Sequence, residues 1–369
     1  MPKIDYNKII ENKSEKEFYQ KQHDKILKYL DTVDMASFWD ILRYVGGSDR
    51  RMLRLINQMI KNVEIKTDGH YIEAKEKKIG WQRIVCRECY GKIIPNNTSF
   101  SLKEGMLKEI CEKKPSPTFL FDQRPVTVST SFRRAVYLYW RGDLQDKDIV
   151  LIGDDDLTSI ALALLKKAKS IIVFEVDKRL VKFINKTAKE NSLNVTAYQY
   201  DLTKNIPKSF YRKFDVFLTD PTPNKEAFSF FVSIGLKLLK EGEGKVGYVS
   251  FFPSHSNISI DFQKALTDFN VIITEMIPRF TEYAWLKETY GKEDLKMLKQ
   301  FDTNEKFSFH ENFTRFETTK ETVKEIYKIK SEITGKATKR ILKNIKKDPA
   351  YQNGDKEFVL QTARGWGDS

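Results

Sequence analysis

Three consecutive carboxylates follow a glycine at Gly153-Asp154-Asp155-Asp156, directly after the apolar run DIVLIG (148–153). Adjacent carboxylates repel one another and are costly unless a cation or a hydrogen-bond donor answers them. Such a turn suits a positively charged ligand and opposes a pyrophosphate, which needs a G-x-G-x-x-G turn presenting bare backbone N–H groups. NAD, FAD and ATP are thereby excluded, and a cofactor with a nucleoside but no phosphate is left. Further carboxylates recur after later apolar runs. Glu175 lies 22 positions beyond Gly153, where a ribose hydroxyl pair is gripped, and Asp177 follows it. Asp201, in Tyr200-Asp201-Leu202, falls where an adenine amino group sits in sulfonium-binding folds. Asp220 opens the turn Asp220-Pro221-Thr222-Pro223, whose prolines stiffen it and aim the carboxylate at a transferred group. Any one of these alone reads as a solvated turn or a helix cap, and Asp156 is placed to cap the helix that follows. Their succession points to a site for a nucleoside and a cation.

The carboxylates also discriminate between sulfonium cofactors. S-adenosylmethionine carries a carboxylate on the tail held near the first turn, which three Asp residues oppose. The decarboxylated form ends in an aminopropyl ammonium, which they favour. The acceptor is then also a cationic amine, such as a polyamine, and the chemistry is displacement at the carbon attached to sulfur. The nucleophile must be a neutral amine, so a carboxylate accepts its proton directly or through water. Asp156 or Asp220 is the expected general base, and the others position the remaining ammonium groups. No nucleophilic triad is apparent. The histidines are scattered at His23, His70, His255 and His310, and His255, in a loop, is read as incidental.

These residues need a scaffold that brings strand ends together. Apolar runs at 148–153, 170–176, 194–200, 214–220, 245–252 and 270–277 alternate with helical stretches such as 157–168 and 225–239. That pattern predicts a parallel, doubly wound α/β sheet, Rossmann-like and of the class I methyltransferase type, over residues 121–330. In such a sheet ligands bind outside the carboxyl ends of the strands, at the switch in strand order. Upstream, helical spacing over 16–32, 35–46 and 48–61, followed by two short alternating strands around Asp68-Gly69, predicts a winged-helix domain over residues 1–79. Its third helix carries Arg50, Arg51 and Arg54, as a DNA-reading helix would, but reuse as a dimerisation or lid module is the expectation. A connector over 80–120 holds Cys86, Cys89 and Cys111. One CxxC pair and a distant Cys fall short of the four ligands a structural zinc needs, even with His70 counted, so no metal is expected. Residues 331–369 form a basic tail.

Composition sets the outer bounds. The chain has 369 residues, 40% of them hydrophobic, enough for two cores. The net charge of +13 is concentrated towards the two ends. No apolar run spans a membrane, the N-terminus does not read as a secretory signal, and three cysteines make no disulfide framework. A cytoplasmic protein with no membrane association is expected.

GDDDLTSIALAL, EVDKRL, the Asp-Pro turn of VFLTDPTP and the upstream FDQRPVT…RGDL resemble the branched-chain polyamine synthases, the N4-bis(aminopropyl)spermidine synthases of archaea and some bacteria. The resemblance implies aminopropyl transfer from decarboxylated S-adenosylmethionine to the secondary amine of spermidine, in a homodimer. It implies that Asp154, Asp155 and Asp156 hold the amines, that Asp220 faces the reacting nitrogen, and that Asp122 and Gln123 line the same pocket. The strand-end positions assign Gly153, Glu175, Asp177 and Asp201 to the donor nucleoside. Family members carry Asp-Pro-Pro at the fourth strand end where this chain has Asp-Pro-Thr-Pro, which bears on acceptor specificity. Two rival readings share parts of the pattern: a methyltransferase that acts on nucleic acid, and a winged-helix regulator that senses a ligand and binds DNA with a steep salt dependence. Nucleic acid is not the expected partner, since the triple Asp opposes the methionine carboxylate and no aromatic residue follows the prolines.

Overall fold

Strands that are apolar on both faces need a covering layer on each side, and this decides the architecture of most of the chain. A computed structural model describes residues 15–33, 35–75, 98–121, 123–204, 206–221, 225–251, 256–285, 292–298 and 307–324. The chain forms two compact units, Met1–Ile93 with Glu282–His310, and Ile94–Thr281 with Glu311–Ser369.

The first unit begins with α1 (Glu15–Asp31), β1 (Ala36–Ser37), α2 (Phe38–Val45), α3 (Asp49–Lys61), β2 (Ile65–Thr67) and β3 (Tyr71–Ala74). Its helix starts are specified locally. The Ser37 hydroxyl accepts from the Asp40 N–H at 3.1 Å while the Asp40 carboxylate accepts from the Ser37 N–H, a reciprocal capping box. Ser48 caps α3 through the Arg51 N–H. Asp68 makes the β2–β3 turn by accepting from the N–H groups of His70 and Tyr71. The strands pair antiparallel in the order β1-β3-β2. Ile26, Leu30, Trp39, Leu42, Leu53 and Ile56 form the core of this unit.

The second unit contains α4 (Thr98–Cys111), α5 (Val128–Trp140), β4 (Asp148–Ile152), α6 (Thr158–Leu164), β5 (Ser170–Glu175), α7 (Lys178–Glu190), β6 (Val195–Gln199), β7 (Val216–Thr219), α8 (Lys225–Leu238), β8 (Val246–Phe251) and α9 (Ser256–Asp268). After it come β9 (Val271–Ala284), α10 (Lys292–Leu298) and β10 (Phe307–Thr318). The stretch Glu282–His310 gives Leu298 and Phe307 to the core of the first unit.

The seven-stranded sheet runs β6-β5-β4-β7-β8-β10-β9. Strand β4 is hydrogen-bonded in parallel to β5 on one side and to β7 on the other, so strand order reverses there. This is the topology of the class I methyltransferase fold, and the reversal creates the crevice that binds ligands. Alternation along β4 divides two cores: Ile149 and Leu151 pack with α5, α6 and α7 residues such as Leu138, Leu162 and Ile184, whereas Val150 and Ile152 pack with Phe217, Phe228 and Phe262. Among the described residues no helix is long and apolar enough to cross a membrane.

The expectation of an all-parallel sheet is corrected at one edge. β10 pairs antiparallel with β8, and β9 extends to Ala284, well past the run at 270–277. β10 escapes a periodicity reading because its polar residues are buried with partners distant in sequence. Arg315, 5% exposed, donates to Asp143 at 2.7 Å, and the Tyr248 hydroxyl donates to the same carboxylate at 2.5 Å. Charges on a strand read as solvent exposure unless such partners are known.

Candidate functional site

A cleft of about 140 Å3 opens at the carboxyl ends of β4, β5, β6 and β7. The acidic turn after β4 forms one wall. Gly153 has φ 75°, a conformation that disfavours any side chain, and this releases the chain from the strand into the turn. The three Asp residues then take different partners. Asp154, 3% exposed, turns back to the start of α6 and accepts from the Ser159 N–H and the Ser159 hydroxyl. The helix cap is therefore Asp154, not Asp156, and Leu157, in the left-handed region, takes the position before the helix without a side-chain cap of its own. Asp156 instead accepts from the Val126 N–H at 2.8 Å and from the Arg134 guanidinium at 2.6 Å. Asp155 Oδ2 is buried with no hydrogen-bond partner among the described residues, although the residue lines the cleft. The Lys114 ammonium donates to the Asp155 backbone carbonyl at 2.6 Å.

These surroundings hold protons. Burial pushes the Asp154 carboxyl up to about 8, against the pull of its Ser159 hydrogen bonds. Burial, and then the neighbouring Asp156 charge, raise Asp155 well above the usual carboxylate range, with Lys114 opposing. Burial also raises Glu175. An acidic wall of this kind is unstable as a row of bare anions and is complete only with cations in it.

Arg134 is the residue that sequence reasoning missed. It sits on α5 at 0% exposure and joins Asp156 to Asp220, whose carboxylate it reaches at 2.5 Å. A signal existed: an arginine on the apolar face of SFRRAVYLYW needs a buried anion, and the surplus of Asp at the strand ends supplies it. Asp220 and Pro221 line the cleft, while Thr222 and Pro223 lie outside the described residues.

The remaining expected residues divide. Glu175, Asp201 and Gln123 line the cleft. Glu175 accepts the N–H groups of Asp154 and Asp177, both at 2.9 Å. Asp201 accepts from Thr203, and Gln123 donates to Asp177 at 3.1 Å. Asp177 is not among the cleft residues: it caps α7 and is chelated by Arg179. Asp122, Cys86, Cys89 and His255 lie outside the described residues. Cys111 is half-buried, and burial pushes its thiol up to about 11.

The cleft can accept an ammonium or an N–H proton at Asp155. It can also hold an uncharged ring or alkyl chain against Tyr200, Leu218, Phe230 and Phe231. Residues 104–340 match the model of the branched-chain polyamine synthase A C-terminal domain. The N(4)-bis(aminopropyl)spermidine synthase of Thermococcus kodakarensis is 39% identical over 202 residues, 54% of this chain and 57% of that protein. The enzyme of the same name from Methanocaldococcus jannaschii is 37% identical over 203 residues, again 54% of this chain and 57% of that protein. The matches thus span little more than half the length of these curated relatives. The crystal structure of the branched-chain polyamine synthase from Thermus thermophilus, in complex with N4-aminopropylspermidine and 5'-methylthioadenosine, has the same fold. It aligns with a TM-score of 0.63 at 22% identity, over 86% of this chain and 92% of that one. With the family model covering most of its length and the acidic turn inside the matched region, the chain belongs to the branched-chain polyamine synthase family.

Proposed function

We propose that the chain is an aminopropyltransferase that uses decarboxylated S-adenosylmethionine to alkylate the secondary amine of spermidine, giving N4-aminopropylspermidine and then N4-bis(aminopropyl)spermidine. The observation that carries this is the buried Asp155 Oδ2, without a hydrogen-bond partner among the described residues, in an acidic cleft at the strand-order switch. The names of the relatives and the family match support the same reading.

The donor nucleoside lies along Gly153, Glu175 and Asp201, and its aminopropyl ammonium faces the acidic turn. The nitrogen lone pair of the acceptor forms a bond to the carbon next to sulfur. The carbon–sulfur bond breaks, and its electron pair stays on sulfur, which leaves as the neutral thioether methylthioadenosine. In the first transfer the proton lost by nitrogen passes to a carboxylate; in the second the tertiary amine becomes a quaternary ammonium, which keeps the positive charge and loses no proton. A base needs a lone pair open to the cleft. Asp154 spends its oxygens on Ser159, and Asp156 spends its own on Val126 and Arg134. Asp220 gives its Oδ2 to Arg134, so this reading places the base at Asp155 rather than at Asp156 or Asp220, and keeps Asp220 facing the reacting amine. Gln123 borders the acceptor. The protein acts as a homodimer, and the first unit serves as a winged-helix module in it.

Mass spectrometry of spermidine incubated with the protein and decarboxylated S-adenosylmethionine tests the proposal. Fragmentation should locate the added group on the internal nitrogen. Methyl transfer from S-adenosylmethionine to a nucleic acid, with no aminopropyl product, would establish the methyltransferase reading instead.

A further inference from the structure

We propose that Arg134 sets the charge this cleft offers to an amine, and so selects ligands by their number of ammonium groups. The inference rests on the amine-binding reading above. Two carboxylates that line the cleft, one from the turn after β4 and one from the end of β7, share this one guanidinium. The two lie on opposite sides of the strand-order reversal. The same guanidinium donates to Ser250 Oγ at 2.9 Å and Thr281 Oγ1 at 3.3 Å. Its carbon lies 5.6 Å from the centre of the Phe313 ring, which is stacked between Phe280 and Tyr248 at 4.9 and 5.2 Å. The cation is thus fixed by packing, and its planar fork spans two acceptors in a way a lysine point charge does not.

One permanent positive charge is fixed behind the acidic wall, joined to two of the carboxylates that line the cleft, while Asp155 lines the cleft beside them. Coulomb interaction with any charge added to the wall grows with the number of ammonium groups the ligand carries. Removing Arg134 adds one negative charge, and a triamine gains more from it than a diamine. A purely structural role predicts a different result, because a loosened cleft weakens both amines alike.

The test is calorimetric titration of putrescine and of spermidine into wild type, Arg134→Gln, Arg134→Lys, Asp156→Asn and the double variant Asp156→Asn/Arg134→Gln, each checked for fold by circular dichroism. Arg134→Gln should raise the preference for spermidine over putrescine about tenfold. Arg134→Lys should hold it within about twofold of wild type, since the charge remains. The double variant removes both partners and should return the preference to about the wild-type value. If the cleft takes up a proton instead, the same charge appears as one more proton released per spermidine bound, read in two buffers of different ionisation heat. If Arg134→Gln does not fold, the comparison of Asp156→Asn with the double variant decides, and adding Arg134→Gln should again raise the preference about tenfold. An unchanged preference with no extra proton released, or equal weakening of both amines, overturns the inference. Failure of wild type to bind either amine overturns the amine-binding reading and this inference with it.

Discussion

Glu175 Oε2 accepts the backbone N–H of Asp154 at 2.9 Å, tying the end of β5 to the acidic turn after β4. Its other oxygen accepts the Asp177 N–H, also at 2.9 Å. One side chain thus satisfies the turns at two adjacent strand ends. Glu175→Gln puts an NH2 group against a backbone donor, which should cost about 1–3 kcal/mol of stability. Binding of methylthioadenosine should weaken with it. Thermal melting and titration of methylthioadenosine check both, and a fully stable Glu175→Gln protein would show that the two turns do not depend on this carboxylate.

The neighbours Asp155 and Asp156 should respond in opposite ways. Asp155→Asn replaces a carboxylate whose buried Oδ2 has no hydrogen-bond partner among the described residues, so the melting temperature should not fall. Turnover should drop by about a hundred- to ten-thousand-fold, the usual contribution of a general base. Asp156→Asn leaves the Arg134 cation underpaired in a buried site and should cost about 3–5 kcal/mol. Denaturant unfolding and steady-state rates separate the two. Stability loss at Asp155 with none at Asp156 would reverse the division of roles.

Stability of the ligand-free protein should fall as pH rises from about 4 to about 8. The Asp154 carboxyl sits at about 8 in the fold against an ordinary 3.8, and Asp155 and Glu175 are also raised. A group whose folded value is raised favours the protonated fold, so its contribution is complete below the ordinary value and is lost as pH climbs through the folded one. Amine binding needs the ionised wall, so spermidine should displace protons and bind more tightly at pH 8 than at pH 6. Melting curves and titrations across that range read both trends. A stability that climbs towards pH 8 without ligand would contradict this.

Gly247 on β8 tests the sheet rather than the cleft. A Cβ there would collide with the Phe316 ring of β10 and the Phe217 ring of β7, its neighbours in register on either side. Gly247→Ala should destabilise by about 1–3 kcal/mol through overpacking. A calorimetric melt measures it, and an unchanged midpoint would mean that the two rings move aside freely.

The sequence by itself determined which carboxylates gather at one cleft. Gly153 followed by three Asp, Glu175, Asp201 and Asp220 all stand at the ends of apolar runs, and in an alternating α/β chain those ends converge. The parallel strands were legible for the same reason: burial on both faces writes an apolar run that needs no partner to be recognised. The antiparallel strand β10 was not, because Arg315 and its neighbours are buried only by virtue of Asp143 and Tyr248, distant in the chain. Nor were the roles of the three adjacent Asp residues. In a tight turn consecutive side chains point in different directions, so Asp154 reaches Ser159, Asp156 reaches Arg134, and Asp155 is left facing the cleft. Only the tertiary structure decides this, because the partners that distinguish one carboxylate from the next come from α5, α6 and β7, and the electrostatics of a buried charge depend on which groups are near it in space.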